Sequence, residues 1–119
     1  MMMILIAGPY ASNTGNDPAL IQKNMDKLES MALPIFRKGH IPMIGEWVAN
    51  PLMRLAGSTE IGDAIFTEIQ YPTAHRLLHK CDAVLRIQGE SKGADQDVEI
   101  AKELGLRIYY NLKDIPDAE

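Results

Sequence analysis

Four short apolar runs punctuate the chain, and the stretches between them carry apolar residues at wider, helical spacing. Met3-Ile4-Leu5-Ile6-Ala7 ends at Gly8-Pro9, which suits a strand buried on both faces of a parallel sheet. Ile41-Pro42-Met43-Ile44, Asp82 to Ile87 and Leu106 to Tyr110 repeat the pattern. Asp17-Pro18 reads as a helix start, with Asp17 as N-cap and Pro18 at the first helical position. Ile21, Met25, Leu28, Ala32 and Ile35 then mark one apolar helix face. Pro34 should kink or shorten the last turn, and Gly39 should end it. Gly45, Asn50, Pro51, Gly57 and Ser58 break up residues 45–60, so a loop with one helical turn is expected there. Asp63 to Lys80 reads as largely helical, with Pro72 as a break or second start. A further helix is expected from about Gly93 to Leu104, closed by Gly105, and a last turn at Asp114-Ile115-Pro116. Strands alternating with helices predict a single α/β domain over residues 1–119. The expected form is a Rossmann- or flavodoxin-like parallel sheet of about four to five strands flanked by helices.

Composition narrows the partners. The chain is 46% hydrophobic and 24% charged, as ordinary globular domains are. Its net charge of −4 argues against nucleic-acid polymers, whose binders usually carry a basic excess. A small anion remains open, because backbone N–H groups bind one without help from net charge. The apolar run at Met1 to Ala7 is too short to cross a bilayer and lacks the flanks of a secretory signal. Neither membrane nor export is expected. The single cysteine, Cys81, has no partner for a disulfide and reads as a buried spectator in a cytoplasmic protein.

Ligands of open α/β sheets bind beyond the carboxyl ends of the strands. Two loops qualify: Gly8-Pro9-Tyr10, and Gly89-Glu90-Ser91-Lys92-Gly93. The second runs from a strand end into a helix start, where free N–H groups and the helix dipole favour an anion. Ser91 offers a hydroxyl, Gly93 permits close backbone approach and Lys92 adds charge. The same residues also read simply as a helix cap and a turn. Asp97 follows Gly93 by about one turn and should face the crevice of Ser91, whereas Glu99 should point away.

These segments resemble a family. Ile4-Leu5-Ile6-Ala7-Gly8-Pro9-Tyr10 resembles the opening strand and turn of nucleoside 2-deoxyribosyltransferases and related nucleotide N-glycosidases, which include short uncharacterised bacterial relatives. Gly39-His40-Ile41-Pro42 resembles their link into the second strand. Cys81-Asp82-Ala83-Val84-Leu85, followed by Ser91, Gly93, Asp97 and Ala101, is similar to the block that carries their catalytic acid. The resemblance implies that Asp97 attacks the anomeric carbon of a nucleoside or nucleotide, as in a retaining glycosidase. It implies that Ser91 and Gly93 bind a 5′-phosphate, and that Gly8, Pro9 and Tyr10 line the base or sugar. It further implies a homo-oligomer, dimer or tetramer, and no cofactor. A non-catalytic nucleotide- or metabolite-binding module on the same fold is the alternative, and a structural subunit binding a partner through residues 45–60 is the third.

Two departures bear on this reading. The nucleophile position holds aspartate where the family has glutamate, one methylene shorter. Ala74 stands where many relatives place an aspartate, so Tyr71, His75 or Glu68 would have to take its part. His75 and His79 are four residues apart, but no third ligand is evident for zinc, and no metal site is expected. Trp47 would either stack on a base or pack in the core or a subunit contact, and Leu52, Met53, Leu55 and Ala56 would form a lid or an interface.

Overall fold

The computed structural model describes residues 1–119. Its centre is a four-stranded, all-parallel sheet in the order β2-β1-β3-β4, built from β1 (Met3–Ala7), β2 (Ile41–Met43), β3 (Ala83–Arg86) and β4 (Arg107–Tyr109). The chain moves from β1 outward to β2, then returns past β1 to place β3 on its other side. Leu5 therefore pairs with Met43 on one flank and with Val84 on the other. The expected strands all form, β1 over the same residues and the other three a residue shorter at one or both ends.

Side-chain alternation along these strands builds two cores. Ile4, Ile6, Ala83 and Leu85 face α1 (Pro18–Glu29) and α2 (Ala32–Arg37) through Leu28 and Ile35, with Ile44 and Ile115 closing the layer. Leu5, Ala7 and Val84 face the opposite way, onto Leu78 of α4 (Ala64–Leu78) and Ala94, Val98 and Ala101 of α5 (Lys92–Glu103). Cys81 is buried in this second layer, and burial pushes its thiol up to about 11. It is an inert packing residue. No helix is long and apolar enough to cross a membrane.

Three helical expectations need correction. Residues 18–37 form two helices rather than one kinked helix. The break falls at Ser30-Met31, and Pro34 becomes the third residue of α2, where its missing N–H has no intrahelical partner to lose. Pro72 neither breaks nor restarts α4, which is continuous and N-capped by Asp63. Hydrogen bonds to the Asp63 carboxylate, led by that from the Phe66 N–H, hold it at about 2. The largest difference lies in residues 45–60, where an eleven-residue helix, α3 (Gly45–Leu55), replaces the expected loop. Gly45, Ala49 and Met53 are buried at four-residue intervals along it, and Ala49 and Met53 pack on Phe66 of α4. That contact outweighs the donor lost at Pro51, whose absent N–H leaves the Trp47 carbonyl without its usual partner.

Two glycines set the spacing of the sheet's carboxyl edge. A Cβ on Gly8 would stand 2.3 Å from Ile87 Cγ1 and 3.2 Å from Leu28 Cδ2. Gly89, at φ +123°, would press a Cβ to 2.5 Å from Pro9 Cγ. At the other edge, His40 is a buried clasp. Its Nδ1 accepts the Met2 N–H at 3.0 Å, so Nε2 carries the proton and donates to the Pro116 carbonyl at 2.6 Å.

Replacing Gly8 with Ala should therefore destabilise the fold by about 1–3 kcal/mol through overpacking. Shortening the Ile87 side chain in the same molecule should recover part of the loss. Denaturant midpoints of the single and double variants measure both.

Candidate functional site

The reversal of strand order at β1 and β3, where the chain goes to β2 on one side and to β3 on the other, opens a crevice at their carboxyl ends, the usual ligand position in such sheets. A cavity of about 400 Å³ occupies it, within the size range of small-molecule sites. Its floor is the end of β1, from Leu5 to Gly8, and one wall is the start of α5. The opposite wall comes from α3 and α4, through Gly45, Glu46, Gln70, Tyr71 and Ala74. The two loops at the mouth are tied together by the Pro9–Gly89 contact and by Asn13 Nδ2, which donates to Glu90 Oε2 at 3.4 Å.

Ser91, Gly93 and Asp97 all line this cavity with Gly8 and Tyr10. Ser91 is buried and N-caps α5, its Oγ accepting the Ala94 N–H at 3.1 Å. The hydroxyl proton stays free to donate. Lys92 and Gly93, the first two helical residues, have no intrahelical acceptor for their N–H groups. Gly93 makes room for the Tyr71 ring, since a Cβ there would meet Tyr71 Cε1 at 3.1 Å. Tyr10 is fixed from two sides, its carbonyl accepting from Asn24 Nδ2 at 2.7 Å and its hydroxyl from Asn50 Nδ2 at 3.3 Å.

Other expected positions differ. Pro9 is not part of the lining, because its ring is packed against Gly89. Trp47 lies outside the cavity and donates from Nε1 to Glu29 Oε2 at 2.8 Å, joining α3 to α1. Of the three residues weighed against Ala74, Tyr71 lines the cavity and Glu68 does not. His75 also stands outside the lining, with Nε2 3.9 Å from Asp97 Oδ1, too long for a hydrogen bond. His79 is exposed and caps the end of α4. No three His, Cys, Asp or Glu side chains are grouped to hold a metal ion.

The electrostatics centre on Asp97. Its side chain is only 13% exposed, and burial is the main reason that its carboxyl is pushed up to about 7. The negative charge of Glu46 across the cavity raises it further, and the Arg86 guanidinium opposes both. Arg86 is held at the end of β3 by the carbonyls of Ile87 and Gly89 and by Asp95 at 2.9 Å. Asp97 Oδ1, His75 Nε2 and Gln70 Oε1 are buried without a hydrogen-bond partner. Such unpaired polar atoms are costly and uncommon in native interiors. Two of the three belong to residues lining the cavity, as expected of a site awaiting a polar ligand.

Glu46 and Gln70 are functional candidates that sequence reasoning missed. Glu46 sits in the first turn of α3, where burial raises its pKa and a hydrogen bond from Gln70 Nε2 to Oε2 partly offsets the rise. The four-residue spacing of Gly45, Ala49 and Met53 is the signal that could have revealed this helix, and with it the inward face of Glu46.

Fold and cavity together define an α/β protein with an acid-lined crevice, of a size that would take a small molecule, at the sheet's switch point. No protein-family model matches the chain, and no curated protein shows significant sequence similarity to it.

The raised Asp97 carboxyl has a measurable cost. The native state holds this proton up to about 7, against 3.8 for the unperturbed group. Its contribution to stability is thus complete below 3.8 and is lost as pH rises through about 7. Asp97→Asn keeps the group neutral at every pH. It should stabilise the protein by up to about 4 kcal/mol near pH 8 and by almost nothing near pH 4. Urea titrations at the two pH values check this.

Proposed function

We propose that the protein is a nucleoside or nucleotide N-glycosidase, or a deoxyribosyltransferase, in which Asp97 is the nucleophile. The observation that carries this reading is the meeting of Asp97 with Ser91 in one cavity. A carboxylate on α5 and an anion-binding helix start six residues earlier are the two groups needed to grip and cleave a phosphorylated glycoside. Gly93 and the free N–H groups beside it would take the 5′-phosphate, with the Ser91 hydroxyl and Lys92 as further donors. Gly8 and Tyr10 would border the sugar or base. Asp97 would attack C1′ as the C1′–N bond breaks, giving a glycosyl ester that water or a second base then resolves. The resemblance of the β1 turn and the Cys81–Ala101 block to that family supports the same assignment. On this reading the shorter Asp97 arm must be met by a closer sugar, since reacting atoms need to approach to about 3–3.5 Å.

One observation favours a second reading. A carboxyl that titrates near 7 is only partly ionised at neutral pH and correspondingly weak as a nucleophile. A module that binds a nucleotide or similar metabolite without cleaving it would tolerate that state.

Base release from a panel of ribo- and deoxyribonucleoside 5′-monophosphates, followed by chromatography, separates the two. Asp97→Ala should reduce release to the uncatalysed background. Undiminished release from that variant overturns the assignment, and tight binding without release by the unsubstituted protein selects the binding module.

A further inference from the structure

The cavity holds a second carboxyl that the nucleophile's role leaves unused. Glu46 reaches it from α3, on the wall opposite α5. Its setting is specific. The Gln70 amide donates to Oε2, and no other side chain hydrogen-bonds the group. Gly45, directly before it, lies against Ala74 of α4, where an added Cβ would sit 3.6 Å from the alanine methyl. Two small residues therefore let α3 close on α4, which brings the Glu46 carboxyl to the cavity wall.

Resting on the glycosidic reading above, we propose that Glu46 is the general acid that protonates the departing base, and then the general base that activates the water. The placement of charge distinguishes the two carboxyls. Arg86 acts on Asp97 and favours its ionised form, whereas no cation offsets the burial of Glu46. Their mutual repulsion disfavours charging both at once. The pair therefore shares a proton, and the reactive form is the one in which that proton sits on Glu46 and the charge on Asp97, where Arg86 favours it, the division of labour that paired carboxyls in glycoside cleavage require.

The step balances. An Asp97 oxygen forms a bond to C1′ while the C1′–N bond breaks and its electron pair passes to the base. The Glu46 proton moves to a ring nitrogen of that base, which leaves neutral. In the second half, the Glu46 carboxylate takes a proton from water, and the water oxygen bonds C1′. The C1′–O bond to Asp97 breaks, so that free sugar phosphate is released and both carboxyls return to their starting forms.

A base that leaves without needing a proton tests the assignment directly. Guanosine 5′-monophosphate and its 7-methyl derivative form such a pair, since the methylated base already carries positive charge and departs neutral; both are assayed in the ribose and 2′-deoxyribose series. In a single turnover, with protein in excess over nucleotide so that only the first half of the reaction is read, Glu46→Gln should slow guanine release by about 10²–10⁴-fold while leaving 7-methylguanine release near the rate of the unsubstituted protein. Equal slowing of both overturns the role of Glu46 and leaves that of Asp97 standing. Release of neither base by the unsubstituted protein, above the uncatalysed rate, overturns the glycosidic reading itself and this proposal with it. If Glu46→Gln fails to fold, as judged by circular dichroism, Glu46→Asp replaces it. That variant keeps the acid on a shorter arm and should again slow guanine release alone, equal slowing of both bases being the overturning result.

Discussion

The close approach of the two loops that follow β1 and β3 is the constraint on which the site depends. Gly8 leaves space for Ile87 and Gly89 leaves space for Pro9, so the two strand ends come together with no side chain wedged between them. Because β2 and β3 lie on opposite sides of β1, the chain must diverge beyond this point. The crevice is what that divergence leaves. The glycines are thus positional requirements of the sheet edge before they are anything to a ligand. Arg86 reinforces the arrangement by holding the carbonyls of the second loop.

The cavity built this way conflicts with ordinary stability. A folded chain normally pairs its buried polar atoms, yet here Asp97, His75 and Gln70 each keep one unpaired. Local departures of this kind are expected where function rather than folding sets the residue. The surrounding structure is well satisfied by contrast, with Asp17, Asp63 and Ser91 capping α1, α4 and α5. Strain is confined to one small volume, and the remainder of the fold holds it in place.

Much of this was legible in the sequence, and the exceptions have physical causes. The four strands read clearly because each is a short apolar run with a turn behind it, and the caps of α1 and α5 were written as Asp17 and Ser91 ahead of a helical pattern. Ser91 and Asp97 could be placed in one crevice because a strand end, a cap and a one-turn spacing are local facts. Helix α3 was hidden because Pro51 and Asn50 speak against helix, while its support comes from Phe66 of α4, a contact between distant positions. The error over α3 hid Glu46 as well. Pro9 and Trp47 could not be placed from the sequence for a related reason, since each is engaged by a partner far along the chain, Gly89 and Glu29.

The His40 clasp has a consequence for the chain's connectivity. One imidazole ring touches the backbone of both Met2 and Pro116, and the Ala118 N–H adds a bond to the Lys38 carbonyl at 2.7 Å. The segments around Met2 and Pro116 are therefore neighbours across the width of a single side chain. A short peptide from Ala118 back to Met2 would close residues 2–118 into a ring without pulling on the sheet. The ring could then be cut at the exposed turn around Gly57, far from the clasp, to give a rearranged chain with the same crevice intact.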